Sequence, residues 1–136
     1  MIAPQQSAEA SLIVQPSDTA EALSLSGEDA FPAVFATSRM IALMEIAAAR
    51  LMRPLLGEGQ LSVGVSIDVT HGAATPVGCG VRAVATYQGQ DGKLHRFKVE
   101  AFDDAGQVGF GVHLRAIVST ERLVTGAKRR IESSRR

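Results

Sequence analysis

The 136-residue chain has a single cysteine, Cys79. One thiol cannot close an internal disulfide and leaves no Cys-rich metal site, so a reducing compartment is expected. Net charge is also missing, because fourteen Lys and Arg balance fourteen Asp and Glu. Without a positive field the chain lacks the long-range attraction on which most nucleic-acid and anionic-membrane binding rests. Long apolar runs are absent as well. The richest stretch, Met40 to Met52, is interrupted by Glu45 and Arg50 and falls short of the ~20 residues of a membrane span. The amino terminus, Met1-Ile2-Ala3-Pro4-Gln5-Gln6, has neither the basic region nor the apolar run of a signal peptide. A cytoplasmic location is the expectation. The G-x-S-x-G, G-x-x-x-x-G-K-[ST] and H-E-x-x-H signatures are absent. His95 and His113 show no metal-type spacing and are expected to be structural or exposed.

What remains is an ordinary globular composition, 46% hydrophobic and 21% charged, on a length that suits one domain of roughly 100 to 150 residues. Residues 1 to 10 are small and polar, and residues 125 to 136 carry Lys128, Arg129, Arg130, Arg135 and Arg136. Both ends are expected to fray, which leaves a folded unit over residues 11 to 124. The basic tail reads as a solvated terminus; a contact to the phosphates of a nucleotide-bearing substrate is the alternative.

One helix is predicted from near Thr37 to Leu55. Met40, Ile41, Met44, Ala47, Ala48, Leu51, Met52 and Leu55 recur at helical spacing, with Arg39, Arg50 and Arg53 on the other side. Pro54 and Gly57 end it. From residue 61 the period changes to two: Leu61, Val63, Val65, Ile67, Val69 and His71 are predicted to share one buried strand face. Further strands are predicted at Val81 to Gln88, Leu94 to Phe102 and Val108 to Thr120, separated by Gly89-Gln90-Asp91-Gly92 and Asp103-Asp104-Ala105-Gly106. Short strands near Leu12 to Val14 and Ala22 to Ser24 complete the count. One long helix and an antiparallel set of strands define an α+β fold in which the sheet curls around the helix, since nothing else can cover it.

Four residues stand out of pattern. Glu45 lies beside the apolar stripe, and its neighbours three and four residues away are Ile41, Ala42, Ala48 and Ala49. No local base can pair with it, so it sits at the rim, finds a partner across the fold, or titrates high. His71 is in phase with the buried face, just where the strand stops at Gly72. It is either a hydrogen-bonded core residue or, if the wrapped sheet brings it to Glu45, one half of a general acid–base pair. Thr37 opens the helix, where a capping role is the plain reading. Gly64 interrupts a β-branched run, which marks a bulge or a close approach of a ligand or another chain segment.

The run Phe31-Pro32-Ala33-Val34-Phe35-Ala36-Thr37, then Met40 with Leu43-Met44-Glu45, Val63-Gly64 and Val69-Thr70-His71-Gly72-Ala73-Ala74-Thr75-Pro76, resembles the fluoroacetyl-CoA thioesterase group of hot-dog proteins. Gly109-Phe110-Gly111-Val112-His113-Leu114-Arg115 resembles that group's last strand. The similarity runs without gaps from about Phe31 to Leu123. It implies a hot-dog fold and a homodimer with two active sites at the subunit interface, hydrolysing acyl-CoA thioesters with no metal or cofactor. Residue by residue, it implies catalytic roles for Thr37, Glu45 and His71. Gly64 matches the glycine whose N–H binds the thioester oxygen, Arg115 a conformation-linked arginine, and Phe31 a lid phenylalanine; Phe35, in the same motif, is expected to contact substrate. Glu28 stands where the second lid aromatic belongs, so short or medium acyl-CoAs are the expected substrates.

Two other classes remain open at this point. One is a non-catalytic acyl-CoA sensor or carrier, which would not require Thr37, Glu45 and His71 together. The other is a hydratase or dehydratase built on Asp68 and His71, which strand parity disfavours.

Overall fold

The structure, a computed structural model, describes residues 2–135. Met1 and Arg136, the latter counted in the basic tail, lie outside the described residues. Helix α1 spans Thr37–Met52 and tightens into a 3-10 turn at Arg53–Leu55, where Pro54 cannot donate to the helical ladder. Its apolar side, Met40, Leu43, Met44, Ala47, Ala48, Leu51 and Met52, is buried.

The sheet has the order β1-β3-β4-β5-β2 and every pairing is antiparallel. Its strands are β1 (Ser7–Ile13), β2 (Gln60–His71), β3 (Gly80–Asp91), β4 (Leu94–Asp103) and β5 (Gly106–Ser119). The face that grips α1 is made of Val81, Ala83, Ala85 and Tyr87 from β3, Phe97, Val99 and Ala101 from β4, and Val108 from β5. Small side chains dominate there because the helix lies close. At Gly109 an added Cβ would run into the Met40 sulfur. Each buried methionine of α1 contributes about 1.5–3 kcal/mol by leaving water.

The structure departs from the sequence expectations at five places. Strand β1 begins at Ser7 rather than near Leu12, so residues 7–10, expected to fray, are paired with β3. As an edge strand of mostly small residues it alternates only weakly in hydropathy, with Ala8, Ala10 and Leu12 set against Ser7, Glu9 and Ser11. Residues Glu21–Leu23 form a 3-10 turn instead of a strand. Strand β3 continues past Gln88 to Asp91, because Gly89, at φ 103°, absorbs a bulge and the turn falls at Gly92 and Lys93. The expected basic tail is a second helix, α2 (Thr120–Ser134), started by the Ser119 side chain accepting from the Arg122 N–H. No residue of α2 is buried.

The fifth departure shapes the site. The β2–β5 register shifts between Gly64 and Ser66, leaving Val65 as a bulged residue. A bulge inverts the phase of everything before it. Ile67, Val69 and His71 therefore face α1, but upstream it is Gly64 and Ser62 that face inward. Leu61 and Val65 are 47% and 53% exposed, which overturns the single buried face expected from residue 61 to residue 71.

Candidate active site

Two polar clusters occupy opposite ends of the groove between α1 and β2. At the first, Thr37 is the opening residue of α1, but the cap position belongs to Ala36 and no side chain caps the helix. The Thr37 hydroxyl is therefore free for other work. Its Oγ1 lies 2.8 Å from His71 Nδ1. His71 Nε2 is buried and has no hydrogen-bond partner in the protein, which is unusual for a buried polar atom. His71 is held by the chain that follows it. The Gly72 N–H donates to the Val108 carbonyl, and buried Thr75 donates its hydroxyl to Asp103 at 2.7 Å. Thr37, His71, Gly72, Ala73, Val34 and Phe35 border a cleft of about 320 Å³. The hydroxyl–imidazole pair at its wall is the geometry general acid–base chemistry needs.

At the second cluster, Glu45 projects from α1, 41% exposed. Its Oε1 lies 3.7 Å from Arg115 Nη1 and 3.9 Å from His113 Nε2, and it fills the space over Gly64 so closely that a Cβ there would collide with it. Buried Arg115 donates from Nε to the Ser62 hydroxyl at 3.0 Å and from Nη2 to the Ser62 carbonyl at 2.8 Å. Its Nη1 is 3.1 Å from His113 Nε2, and His113 Nδ1 is 2.8 Å from the Ser66 carbonyl. Burial pushes His113 below its ordinary range, Arg115 adds to this, and the Ser66 carbonyl and Glu45 work against it. Burial also lowers Arg115, opposed by Glu45.

The expected roles meet this geometry unevenly. Thr37 and His71 come together. Glu45 and Gly64 come together with Arg115, but not with His71. Thr37 and Glu45 are eight residues apart on α1, about 12 Å of helix rise, and Gly64 and His71 are separated by roughly 20 Å of strand. Within one chain Glu45 pairs with Arg115, and His113 Nε2 lies beside it at 3.9 Å. Asp68 is exposed and out of phase with His71, so the two do not form an acid–base pair. Phe31 is 51% exposed, while the ring of Phe35, 1% exposed, is packed in the core under the cleft. Glu28 is exposed on the loop leading to Phe31, which is closed by the Asp29 carboxylate accepting from the Leu25 and Ser26 N–H groups. His113, expected to be structural or exposed, is the most buried member of the second cluster. The signal for it was parity: it lies two residues before Arg115 and so shares its face.

A larger hollow of about 450 Å³ lies between β1, β3 and the end of β4. Arg82 there pairs with Glu9 and stacks over Phe102, and Asp103 accepts from Thr75. Among the described residues, no group of three or more His, Cys, Asp or Glu side chains is arranged to hold a metal ion. No helix among the described residues is long and apolar enough to cross a membrane.

A long helix gripped by a five-stranded antiparallel sheet, with acid–base side chains along the helix edge, is the hot-dog architecture of thioesterases. Residues 14–121 match the family of fluoroacetyl-CoA-specific thioesterases, and the chain belongs to that family. A fluoroacetyl-CoA thioesterase of Streptantibioticus cattleyicolor is 42% identical over 92 residues, a match that spans 68% of this chain and 66% of that protein. A variant of the fluoroacetyl-CoA-specific thioesterase FlK, in complex with fluoroacetate and CoA, superposes with a TM-score of 0.83 at 36% identity, covering 89% of this chain and 98% of that one. A thioesterase superfamily member from Thermus thermophilus superposes with a TM-score of 0.85 at 26% identity, covering 98% of this chain and 96% of that one.

Proposed function

We propose that the protein is a cytoplasmic acyl-CoA thioesterase acting on short or medium acyl groups as a homodimer. The observation that carries the reading is the 2.8 Å contact between Thr37 Oγ1 and His71 Nδ1 at the wall of a cleft. In the reaction, a water oxygen bonds to the thioester carbonyl carbon, His71 moves its proton, and the C–S bond breaks to give free acid and CoA thiol. Thr37 orients the water or attacks first itself. The Gly64 N–H receives the developing negative charge on the carbonyl oxygen, a contact worth about 100- to 1000-fold in rate when it behaves as other oxyanion donors do. Glu45 either orients the proton-transferring side chain or attacks the carbonyl carbon. The chemistry is done by side chains, without metal or cofactor.

The same geometry supports the dimer in this reading. The Thr37–His71 and Glu45–Gly64 clusters lie at opposite ends of β2, so each is half a site. Strand β2 is an edge of the sheet, and exposed Leu61 and Val65 are features a free edge ordinarily avoids. Antiparallel pairing of two β2 edges exchanges their ends, placing Glu45 of one subunit beside the partner's His71. Two complete sites result.

Thiol release from a panel of short acyl-CoAs tests the activity. Hydrolysis of at least one is expected, and release from none of them, with binding retained, would make this an acyl-CoA carrier. Light scattering tests the assembly, for which a monomer is the fatal result.

A further inference from the structure

We propose that His113 is a positioning residue: its Nε2 lone pair fixes the Arg115 guanidinium, and the guanidinium fixes the Glu45 carboxylate over Gly64. The proposal rests on the thioesterase reading for its consequence in turnover, but its geometry stands alone.

His113 is fully buried and both ring nitrogens are engaged. A backbone carbonyl can only accept, so the 2.8 Å contact to Ser66 puts the ring proton on Nδ1. The Nε2 lone pair is then left facing Arg115 Nη1 at 3.1 Å, and a guanidinium can only donate. The Ser66 carbonyl thus selects the tautomer that Arg115 requires. With Ser62 taking Nε and Nη2, three of the arginine's donors are fixed in direction, and the Nη1 edge nearest Glu45 has no freedom to turn. The groups facing His113 are consistent with a neutral ring. Glu45 and Arg115 are the charged ones, while β4 contributes the Phe97 ring at 6.3 Å.

The bulge supplies the reason for this arrangement. By skipping Val65, it sets Gly64 opposite Arg115 and Ser66 opposite Leu114, while Ile67 pairs with His113. The inner faces of β2 and β5 therefore bring Ser62, Gly64, His113 and Arg115 around one carboxylate. Without His113 the guanidinium would be held along one edge only, by Ser62, leaving Nη1 free to shift, and a carboxylate displaced by an ångström can cost about 100-fold in rate.

The two ends of the imidazole are separable by substitution. His113→Phe keeps the ring and loses both bonds; His113→Asn keeps an N–H for Ser66; His113→Gln places an amide oxygen where Nε2 accepts from Arg115. We expect Phe and Asn to lower kcat by about 10- to 100-fold with KM changed less than about threefold, and Gln to recover most of the loss. The Arg115 Nη1–H resonance, read by NMR, is expected to stay protected in wild type and Gln and to be lost in Phe and Asn. Folded Phe and Asn variants that retain wild-type kcat and a protected Arg115 signal would overturn the proposal. If wild type hydrolyses no acyl-CoA, the thioesterase reading fails, and the arginine signal alone judges whether His113 positions Arg115.

Discussion

The Glu45 carboxylate occupies the volume that any side chain at residue 64 would need. A Cβ on Gly64 would strike Glu45 Oε1 and come within 3.1 Å of His113 Cε1. Gly64→Ala therefore forces Glu45 aside, and because Glu45 is partly exposed and flexible, the fold should survive at a cost of about 1–3 kcal/mol. Activity should not: kcat/KM is expected to fall at least about 100-fold. In a Glu45→Ala background the same substitution should cost clearly less, since only the tight approach to His113 Cε1 remains. Thermal melts of the four proteins form the cycle, and additive losses would mean that Glu45 is not what Gly64 accommodates.

Thr37 offers a cleaner separation of stability from chemistry. A threonine serving as an N-cap costs about 1 kcal/mol when replaced by alanine, but here Ala36 holds that position. Thr37→Ala should melt within a degree or two of wild type yet lose about 100-fold or more in kcat, as expected for a disabled acid–base pair. Thr37→Ser, which keeps the hydroxyl near His71 Nδ1, should retain most activity. Equal activity in Thr37→Ala would remove the hydroxyl from the mechanism.

These two substitutions also show where the sequence was informative. Helix α1 and the strands from Gln60 to Ser119 were legible because each has one wet and one dry side, and the period follows. Thr37 and His71 each stood out because one begins and the other ends such an element, but the residues alone suggested a cap for Thr37 and Glu45 as the partner of His71, and only the family resemblance grouped the three. The meeting of Glu45 with Arg115 beside His113 was not, since it depends on a bulge whose only trace is one glycine in a β-branched run. Strand β1 and helix α2 were missed for a related reason. Ser7–Ile13 lies at an edge and buries little, and α2 buries nothing, so the alternation of Ala8, Ala10 and Leu12 and the spacing of Leu123, Val124, Ala127 and Ile131 were inconspicuous among polar terminal residues.

Acid should destabilise the protein in two stages. Burial holds His95 and His113 below their ordinary value of about 6.5 in the folded protein. The unfolded chain therefore binds those protons first, so the stabilisation is complete above about pH 6.5 and is lost as pH falls through the folded values. Asp103 is held below the usual carboxylate range, chiefly by the Thr75 hydroxyl. Its contribution is present above about pH 4 and disappears below that. Urea midpoints measured from pH 8 to pH 3 should fall in both windows. A midpoint flat down to pH 5 would contradict the burial of the two histidines.

Tyr87 tests one of those histidines directly. Its hydroxyl lies 2.8 Å from His95 Nδ1, with both side chains buried between β3 and β4. Tyr87→Phe keeps the edge-on packing against Phe97 but leaves a buried imidazole nitrogen without its partner, at a cost of about 1–3 kcal/mol. Although His95 sits opposite Arg115 across β4 and β5, neither Tyr87 nor His95 hydrogen-bonds to a member of the polar clusters, so kcat should hold while the melting temperature drops. A variant as stable as wild type would indicate that the nitrogen finds another partner.

Substrate choice turns on the loop carrying Glu28 and Phe31. Two aromatic rings over a cleft exclude water and enclose a small apolar acyl group, whereas one ring and a carboxylate leave the mouth wider and wetter. Both residues are exposed in the single chain, so neither packs into the core and either is free to close on a bound thioester. An apolar pocket distinguishes one small group by only about 1–3 kcal/mol even when well formed, and loss of half the cover should remove most of that. We expect acetyl-, butyryl- and fluoroacetyl-CoA to be hydrolysed with similar kcat/KM, and Glu28→Phe to shift the ranking toward the smaller acyl groups. A strong fluoroacetyl preference in wild type would contradict the open-mouth reading. An unchanged ranking in Glu28→Phe would show that residue 28 does not cover the cleft.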